Sequence, residues 1–92
     1  MKWTILLEDE NKKKITSISK ELEVINLDKN FILLKYLDPY GDTTFNKLQM
    51  DDLMTDFINL KNEDKNPLIH EIILLVSKCK LSPHTYLTFY GN

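Results

Sequence analysis

The chain has only one cysteine, two glycines and three prolines in 92 residues. A single cysteine, Cys79, excludes an intrachain disulfide, which small domains of oxidising compartments commonly use. This favours a cytoplasmic location, with a secreted cysteine-poor domain as the alternative. Two glycines exclude a glycine-rich loop that cradles a phosphate. The scarcity of glycine and proline also argues against long structureless loops.

Long apolar runs and an excess of positive charge are also missing. The most apolar stretch, residues 72–76, is far shorter than the about 20 residues that span a bilayer. The apolar run after Met1 ends at Glu8, so we expect neither an export signal nor a membrane partner. Twelve basic and 14 acidic residues give a formal net charge of −2. We therefore expect no nucleic-acid partner, because non-specific binding needs a strongly basic field.

The remaining composition is that of a globular protein, with 42% hydrophobic and 28% charged residues. The length predicts a single domain over residues 1–92. Strand periodicity places Trp3, Ile5 and Leu7 on one face and Thr4 and Leu6 on the other, which predicts a first strand over residues 3–7. Residues 13–19 and 22–27 predict a second and a third strand, with a helix over residues 15–22 as the alternative. Residues 31–37 are apolar except for Lys35, which predicts a central strand buried on both faces.

Two further strands and two helices complete the prediction. Residues 42–46 are expected to return as a short strand after a turn, and residues 84–90 predict the last strand. Helical spacing predicts one helix over residues 50–61. Asn66 and Pro67 then supply a cap and a first helical residue for another helix, which Ser82 and Pro83 end.

These elements predict an α+β fold in the order β-β-β-β-β-α-α-β. We expect a mostly antiparallel sheet of five to six strands, with two antiparallel helices packed on one face. The pattern leaves open whether the last strand inserts between earlier strands or lies at an edge. It also places Tyr86, Thr88 and Tyr90 on one side of that strand.

The residues Asp38, Pro39, Tyr40 and Gly41 have the preferred order of a type I β-turn. Asp38 and Asp42 flank this turn and form a conceivable carboxylate pair. Local bonding to backbone N–H groups is the favoured interpretation, because a solvated turn does not give two carboxylates the different environments that acid–base catalysis requires.

No catalytic, metal or cofactor site is predicted. His70 and His84 are the only histidines, and no spacing of histidine and cysteine supplies the three or four ligands of a zinc site. Cys79 falls on the apolar stripe of the second helix near its C-terminus, which raises a thiol pKa and indicates a structural cysteine. The lysines at positions 12–14 are expected in a solvated turn, with an RNA contact as the alternative.

Two motifs resemble those of a family of small bacterial proteins without assigned function. The first is DPYGDTTFNKLQM at residues 38–50, and the second is HTYLTFYGN at residues 84–92. The family pattern carries aspartate where this chain has Asn92. The resemblance implies a domain of this size, no established activity, and one shared polar feature built from Asp38, Gly41, Asp42, Asn46, Gln49 and His84.

Three functions remain as hypotheses. The first is a cytoplasmic protein-binding module, in a specific form an immunity-like protein that masks a toxin. The second is a small-ligand or enzymatic site at the turn of residues 38–46, where Asp42 and Asn46 converge with His84. The third is self-association through an exposed sheet face or an edge strand. The candidate binding residues are Asp38, Tyr40, Asp42, Asn46, His84, Tyr86 and Tyr90.

Overall fold

Five strands and two helices form the described part of the computed structural model, which covers residues 2–23, 30–63 and 66–91. The strands are β1 (Lys2–Asp9), β2 (Lys14–Ser17), β3 (Leu22–Glu23), β4 (Asp42–Asn46) and β5 (Thr85–Gly91), and the helices are α1 (Met50–Glu63) and α2 (Leu68–Leu81). Every strand pairing in these residues is antiparallel. The predicted α+β class, with one open antiparallel sheet and two helices, is confirmed.

The last strand of the chain lies inside the sheet. The strand order is β2-β1-β5-β4, and β3 pairs with β1 beside β2. β5 pairs with β1 from Asp9 and Thr85 at one end to Trp3 and Gly91 at the other. β4 pairs with the opposite side of β5. Insertion of β5 between the first and fourth strands settles the alternative that the sequence left open.

Strand alternation gives the sheet one core face. Ile5 and Leu7 of β1 and Phe89 of β5 are fully buried, and each such side chain stabilises the fold by about 1.5–3 kcal/mol. The Phe89 ring stacks on Phe57 of α1 with centroids 6.0 Å apart. Phe45 of β4 meets the same ring edge-on at 5.6 Å. The helices therefore cover this face of the sheet.

The two helices pack as an antiparallel pair. The Lys80 ammonium near the end of α2 lies 2.6 Å from the Asp51 carboxylate near the start of α1. The N-terminus of α2 follows the predicted capping chemistry, because the Asn66 carboxamide oxygen accepts a 3.0 Å hydrogen bond from the Leu68 N–H group.

The prediction of a central strand at residues 31–37 is wrong. This segment contains bends and a short 3₁₀-helix at Leu34–Tyr36. Phe31, Leu34 and Leu37 are buried, and a spacing of three residues is that of one face of a 3₁₀-helix. Ile32 is 42% exposed, whereas a strand buried on both faces would cover it. The apolar run is therefore packed on one side only.

The carboxylate of Asp56, on α1, explains this departure. Its Oδ1 atom accepts a 2.9 Å hydrogen bond from the Ile32 N–H group. Its Oδ2 atom accepts bonds from the N–H groups of Leu33 at 2.7 Å and Leu34 at 3.1 Å. Asp56 is only 1% exposed. Because three successive N–H groups turn toward one carboxylate, they are not available to pair with a neighbouring strand.

The edge of the sheet beside β1 is irregular. β2 spans part of the predicted second strand, and the helix considered over residues 15–22 does not form. β3 confirms the third strand at residues 22–23, and residues 24–27 of that prediction lie outside the described residues. Between β2 and β3, Ser19 donates from its N–H group and its hydroxyl to the Glu71 carboxylate at 2.7 and 2.9 Å. These two bonds tie this edge to α2.

Candidate functional site

The face of the sheet opposite the helices carries a band of polar and aromatic side chains. β5 contributes Tyr86, Thr88 and Tyr90, as the alternation predicted. The pairing registers place side chains of β1 and β4 beside them on the same face, namely Thr4, Leu6 and Glu8 from β1, and Asp42, Thr44 and Asn46 from β4. We call these nine residues the open face. Both tyrosines are partly exposed.

A hydrogen-bond network crosses the open face. The Tyr90 hydroxyl donates to the Glu8 carboxylate at 2.5 Å. The hydroxyl oxygens of Thr44 and Thr88 lie 3.0 Å apart. Glu8 is 3% exposed and Thr88 is fully buried, although both belong to the face that the helices do not cover. Their burial and the Tyr90–Glu8 bond show an ordered polar surface rather than loosely solvated side chains.

The contact with Glu8 changes the acidity of Tyr90. The hydrogen bond to the Glu8 carboxylate, burial of the ring, and the negative charges of Glu8 and Asp42 together raise the pKa of Tyr90 to about 12 from its ordinary value of 10.0. Each of these causes favours the neutral phenol over the phenolate. Tyr90 therefore remains a hydrogen-bond donor throughout the physiological range.

We expect this contact to make stability depend on pH above 10. Between pH 10 and 12 the unfolded chain loses the Tyr90 proton while the folded chain keeps it, so the free energy of unfolding falls. The difference in free energy of unfolding between the wild type and Tyr90→Phe should shrink by about 1 kcal/mol from pH 10 to pH 12, allowing for solvent screening. Urea unfolding at a series of pH values measures it. Glu8→Gln should also weaken the dependence, and parallel curves for all three proteins would contradict the assignment.

The turn that carries Asp38 and Tyr40 is held at one end of β4 and β5. The Asp38 carboxylate accepts a 2.9 Å hydrogen bond from the Tyr40 N–H group. The Asp38 carbonyl accepts a 3.1 Å bond from the Trp3 indole. The Gly91 N–H group donates to the Gly41 carbonyl at 2.8 Å. Asp38 therefore stabilises the turn, while the Tyr40 side chain is 91% exposed.

Asn46, at the other end of β4, begins the turn that leads into α1. Its carboxamide oxygen accepts a 2.9 Å hydrogen bond from the Leu48 N–H group. Its own N–H group donates to the Gln49 side chain at 2.9 Å. This reciprocal arrangement is a capping box, and it gives both Asn46 and Gln49 a structural role that the motif alone did not reveal.

His84 lies near Asn46 and not near the Asp38 turn. Its ring and Asn46 line one open hollow of about 230 Å³, together with Tyr86. The imidazole is 77% exposed, and its Nδ1 atom lies 3.7 Å from the Glu10 carboxylate. The backbone φ of His84 is 55°, a left-handed value that histidine adopts more readily than most residues. The hollow is smaller than the cavities of about 300–1,000 Å³ that usually hold small molecules.

The convergence of Asp42, Asn46 and His84 on one cleft does not form. Asp42 pairs with Tyr90, whereas Asn46 pairs with Tyr86 at the end of β5 next to His84. Asn46 lies four residue steps along the strand from Asp42, a distance of about 13 Å. The structure thus brings the two motifs together as neighbouring strands, but it splits their polar residues between two ends of the sheet.

Cys79 has the structural character that its position predicted. It is fully buried, and burial raises the pKa of its thiol. The Thr85 hydroxyl lies 3.6 Å from its sulfur and 2.8 Å from the Ser82 carbonyl. These contacts join the end of α2 to the start of β5, which positions the strand that carries both tyrosines of the open face.

Glu8 and Thr44 are two of the open-face residues that sequence reasoning missed. A glutamate at the end of an apolar strand resembles a solvated strand terminus, so Glu8 carried no distinctive signal. The residue that donates a hydrogen bond to it, Tyr90, is 82 positions away. Thr44 lies inside the first motif, but its hydrogen-bond partner Thr88 is set by the pairing of β4 with β5.

No family model, curated protein or solved structure matches the chain. The resemblance of residues 38–50 and 84–92 to a bacterial family therefore stays a prediction. Neither described helix, at 14 residues each, is long and apolar enough to cross a lipid bilayer. Function is consequently inferred from the open face itself.

Proposed function

We propose that this protein is a protein-binding module and that the open face is its contact surface. The observation that carries the proposal is the pair Tyr86 and Tyr90, which lie partly exposed on a sheet face that none of the described elements covers. Tyrosine is enriched in protein interfaces, because its ring supplies apolar area and its hydroxyl supplies a hydrogen bond.

The order of this surface supports the proposal. The Tyr90 ring is held by its bond to Glu8, and Thr44 and Thr88 are held against each other. Side chains that are already fixed in the free protein lose little conformational entropy when a partner binds. A preorganised face of this kind is therefore suited to specific association.

The specific form that we propose is an immunity-like protein that binds and masks a toxin in the cytoplasm. Its small size and net charge of −2 fit this form. Cys79, the only cysteine, is buried and forms no disulfide, which fits a cytoplasmic location. The carboxylates of Glu8 and Asp42 give the open face an acidic character that favours a partner with a basic surface.

Affinity capture from the native host tests the proposal. Tagged wild-type protein should recover a defined partner, and Tyr86→Ala combined with Tyr90→Ala should lower that recovery by at least about tenfold. Tyr36→Ala is the matched control, because Tyr36 is 65% exposed and lies on the 3₁₀-helix rather than on the open face. Circular dichroism establishes that each bait is folded. Recovery no higher than with the tag alone, or equal recovery by the double variant, would refute the proposal.

A further inference from the structure

We propose that β4 binds an extended, positively charged segment of the protein partner as an additional strand of the sheet. The inference rests on the proposed protein-binding function and specifies how the partner docks. Among residues 2–23, 30–63 and 66–91, β4 pairs only with β5, so its other side is an edge of the sheet. Pairing of a peptide with such an edge is a common mode of recognition, in which backbone hydrogen bonds supply affinity.

The register identifies the backbone groups that point outward. The Gly91 N–H group donates to the Gly41 carbonyl at 2.8 Å, so these two residues form a hydrogen-bonded pair. Bonded and non-bonded pairs alternate along antiparallel strands. The next residue of β4, Asp42, therefore directs its N–H and C=O groups away from β5, and Thr44 does the same.

Two side-chain contacts agree with this alternation. The hydroxyls of Thr44 and Thr88 approach to 3.0 Å, as expected where a non-bonded pair brings side chains close together. The Asn46 N–H group donates to Gln49 instead of β5, as the same alternation requires. Because Gln49 already uses that N–H group, the free edge extends over Asp42 and Thr44 and ends at Asn46.

The two edges of the sheet differ in how they are protected. On the β2 edge, the register of the pairing with β1 shifts between Leu7 and Glu8. Lys12 and Lys13 precede β2, and Lys14 is its first residue. Bulges and lysines are devices that prevent edge strands from pairing with other chains. β4 contains neither lysine nor proline, and its register with β5 is regular. β4 is therefore the edge that remains open to another strand.

Charge around β4 identifies the chemistry of its occupant. Asp42 on β4 and Asp38, whose N–H group donates to the Thr43 hydroxyl at 3.4 Å, are both exposed. Lys47 is the only basic residue in positions 38–52. A segment with lysine or arginine side chains complements this surface. Pairing with β4 of a second copy would bring like charges together. The β2 edge of a second copy carries lysines, but its register shift makes it a poor partner for β4. These features favour a partner protein over self-association.

A phage-displayed library of random peptides, selected on the wild-type protein, provides the probe. We expect enriched peptides to carry basic residues at alternate positions. Their affinity should fall at least about tenfold for Thr44→Pro, which removes an outward N–H group, and for Asp42→Lys, which reverses the charge. Methylation of alternate peptide amides should abolish binding to the wild type, so the test does not depend on the folding of Thr44→Pro. Tyr36→Ala is the control, because Tyr36 is exposed on the 3₁₀-helix, outside both β4 and the open face, and it should leave affinity within about twofold.

Four results would overturn the inference. They are the absence of enriched peptides, equal binding to Thr44→Pro and wild type, binding that survives amide methylation, and a dimer in light scattering that Thr44→Pro dissolves. Loss of binding only with Tyr86→Ala would place the contact on the open face, which removes the edge inference and keeps the proposed function. If capture from the native host recovers no partner while the selected peptides still bind β4, the proposed function fails and the strand-binding edge is kept.

Discussion

Replacing Asp56 by alanine is expected to lower the free energy of unfolding by about 3–4 kcal/mol. The carboxylate accepts hydrogen bonds from the N–H groups of Ile32, Leu33 and Leu34. Its removal leaves donors without partners in a partly buried region, and each such donor costs about 1–3 kcal/mol unless water reaches it. Because small domains are stable by only about 5–15 kcal/mol, the loss would be a large share of the total.

Urea unfolding of matched variants measures this effect. Asp52→Ala removes the same side chain from an exposed position of α1 and should cost less than about 1 kcal/mol. Asp56→Asn keeps one acceptor oxygen but turns an NH₂ group toward backbone donors, so we expect an intermediate loss. Amide exchange should show faster exchange at residues 32–34 in Asp56→Ala. Similar midpoints for Asp56→Ala and Asp52→Ala would disprove the assigned role.

The same carboxylate explains why residues 31–37 were assigned wrongly from sequence. Their composition is that of a buried strand, and composition is a local property. Whether their N–H groups pair with a strand depends on Asp56, which is 24 positions from Ile32. The buried residues Phe31, Leu34 and Leu37 recur every three positions in the sequence. The apolar residues between them conceal this spacing.

Elements determined by local chemistry were predictable. β1 and β5 follow the alternation of their side chains, and the start of α2 follows from Asn66 and Pro67. The face of β5 that carries Tyr86 and Tyr90 was also predictable, because alternate side chains of a strand point to opposite sides. The strand order was not, since pairing between distant segments depends on the packing of the whole core.

The remaining parts of the site depend on contacts between the two ends of the chain. Glu8 and Tyr90 meet only because β5 inserts next to β1. Asn46 and His84 share a hollow because β4 pairs with β5 in a particular register. The family resemblance implied that His84 and Asp38 belong to one polar feature. The antiparallel pairing instead places these two residues at opposite ends of β4 and β5.

Replacing Gly91 by alanine is the second change for which we expect a large effect, a loss of about 2–4 kcal/mol. A Cβ atom on Gly91 would lie 2.5 Å from the Asp38 carbonyl oxygen and 2.5 Å from the Pro39 carbonyl carbon. These are backbone atoms, so the turn or the end of β5 must move. Either movement disrupts the bond from the fully buried Trp3 indole to the Asp38 carbonyl and leaves that indole N–H group without its partner.

Gly41→Ala is the matched control, since the chain has only these two glycines and neither has a positive φ. The added Cβ atom of Gly41 would meet the Asp38 carboxylate oxygen at 2.7 Å, and a side chain can rotate away, so we expect a loss of about 1 kcal/mol. Trp3 is the only tryptophan, so its fluorescence reports both the unfolding midpoint and the environment of the indole. Equal midpoints for the two alanine variants, with unchanged Trp3 emission, would show that the close approach at Gly91 does not hold the turn in place. A larger loss for Gly91→Ala would establish that the second motif of the chain supports the first through direct backbone contact.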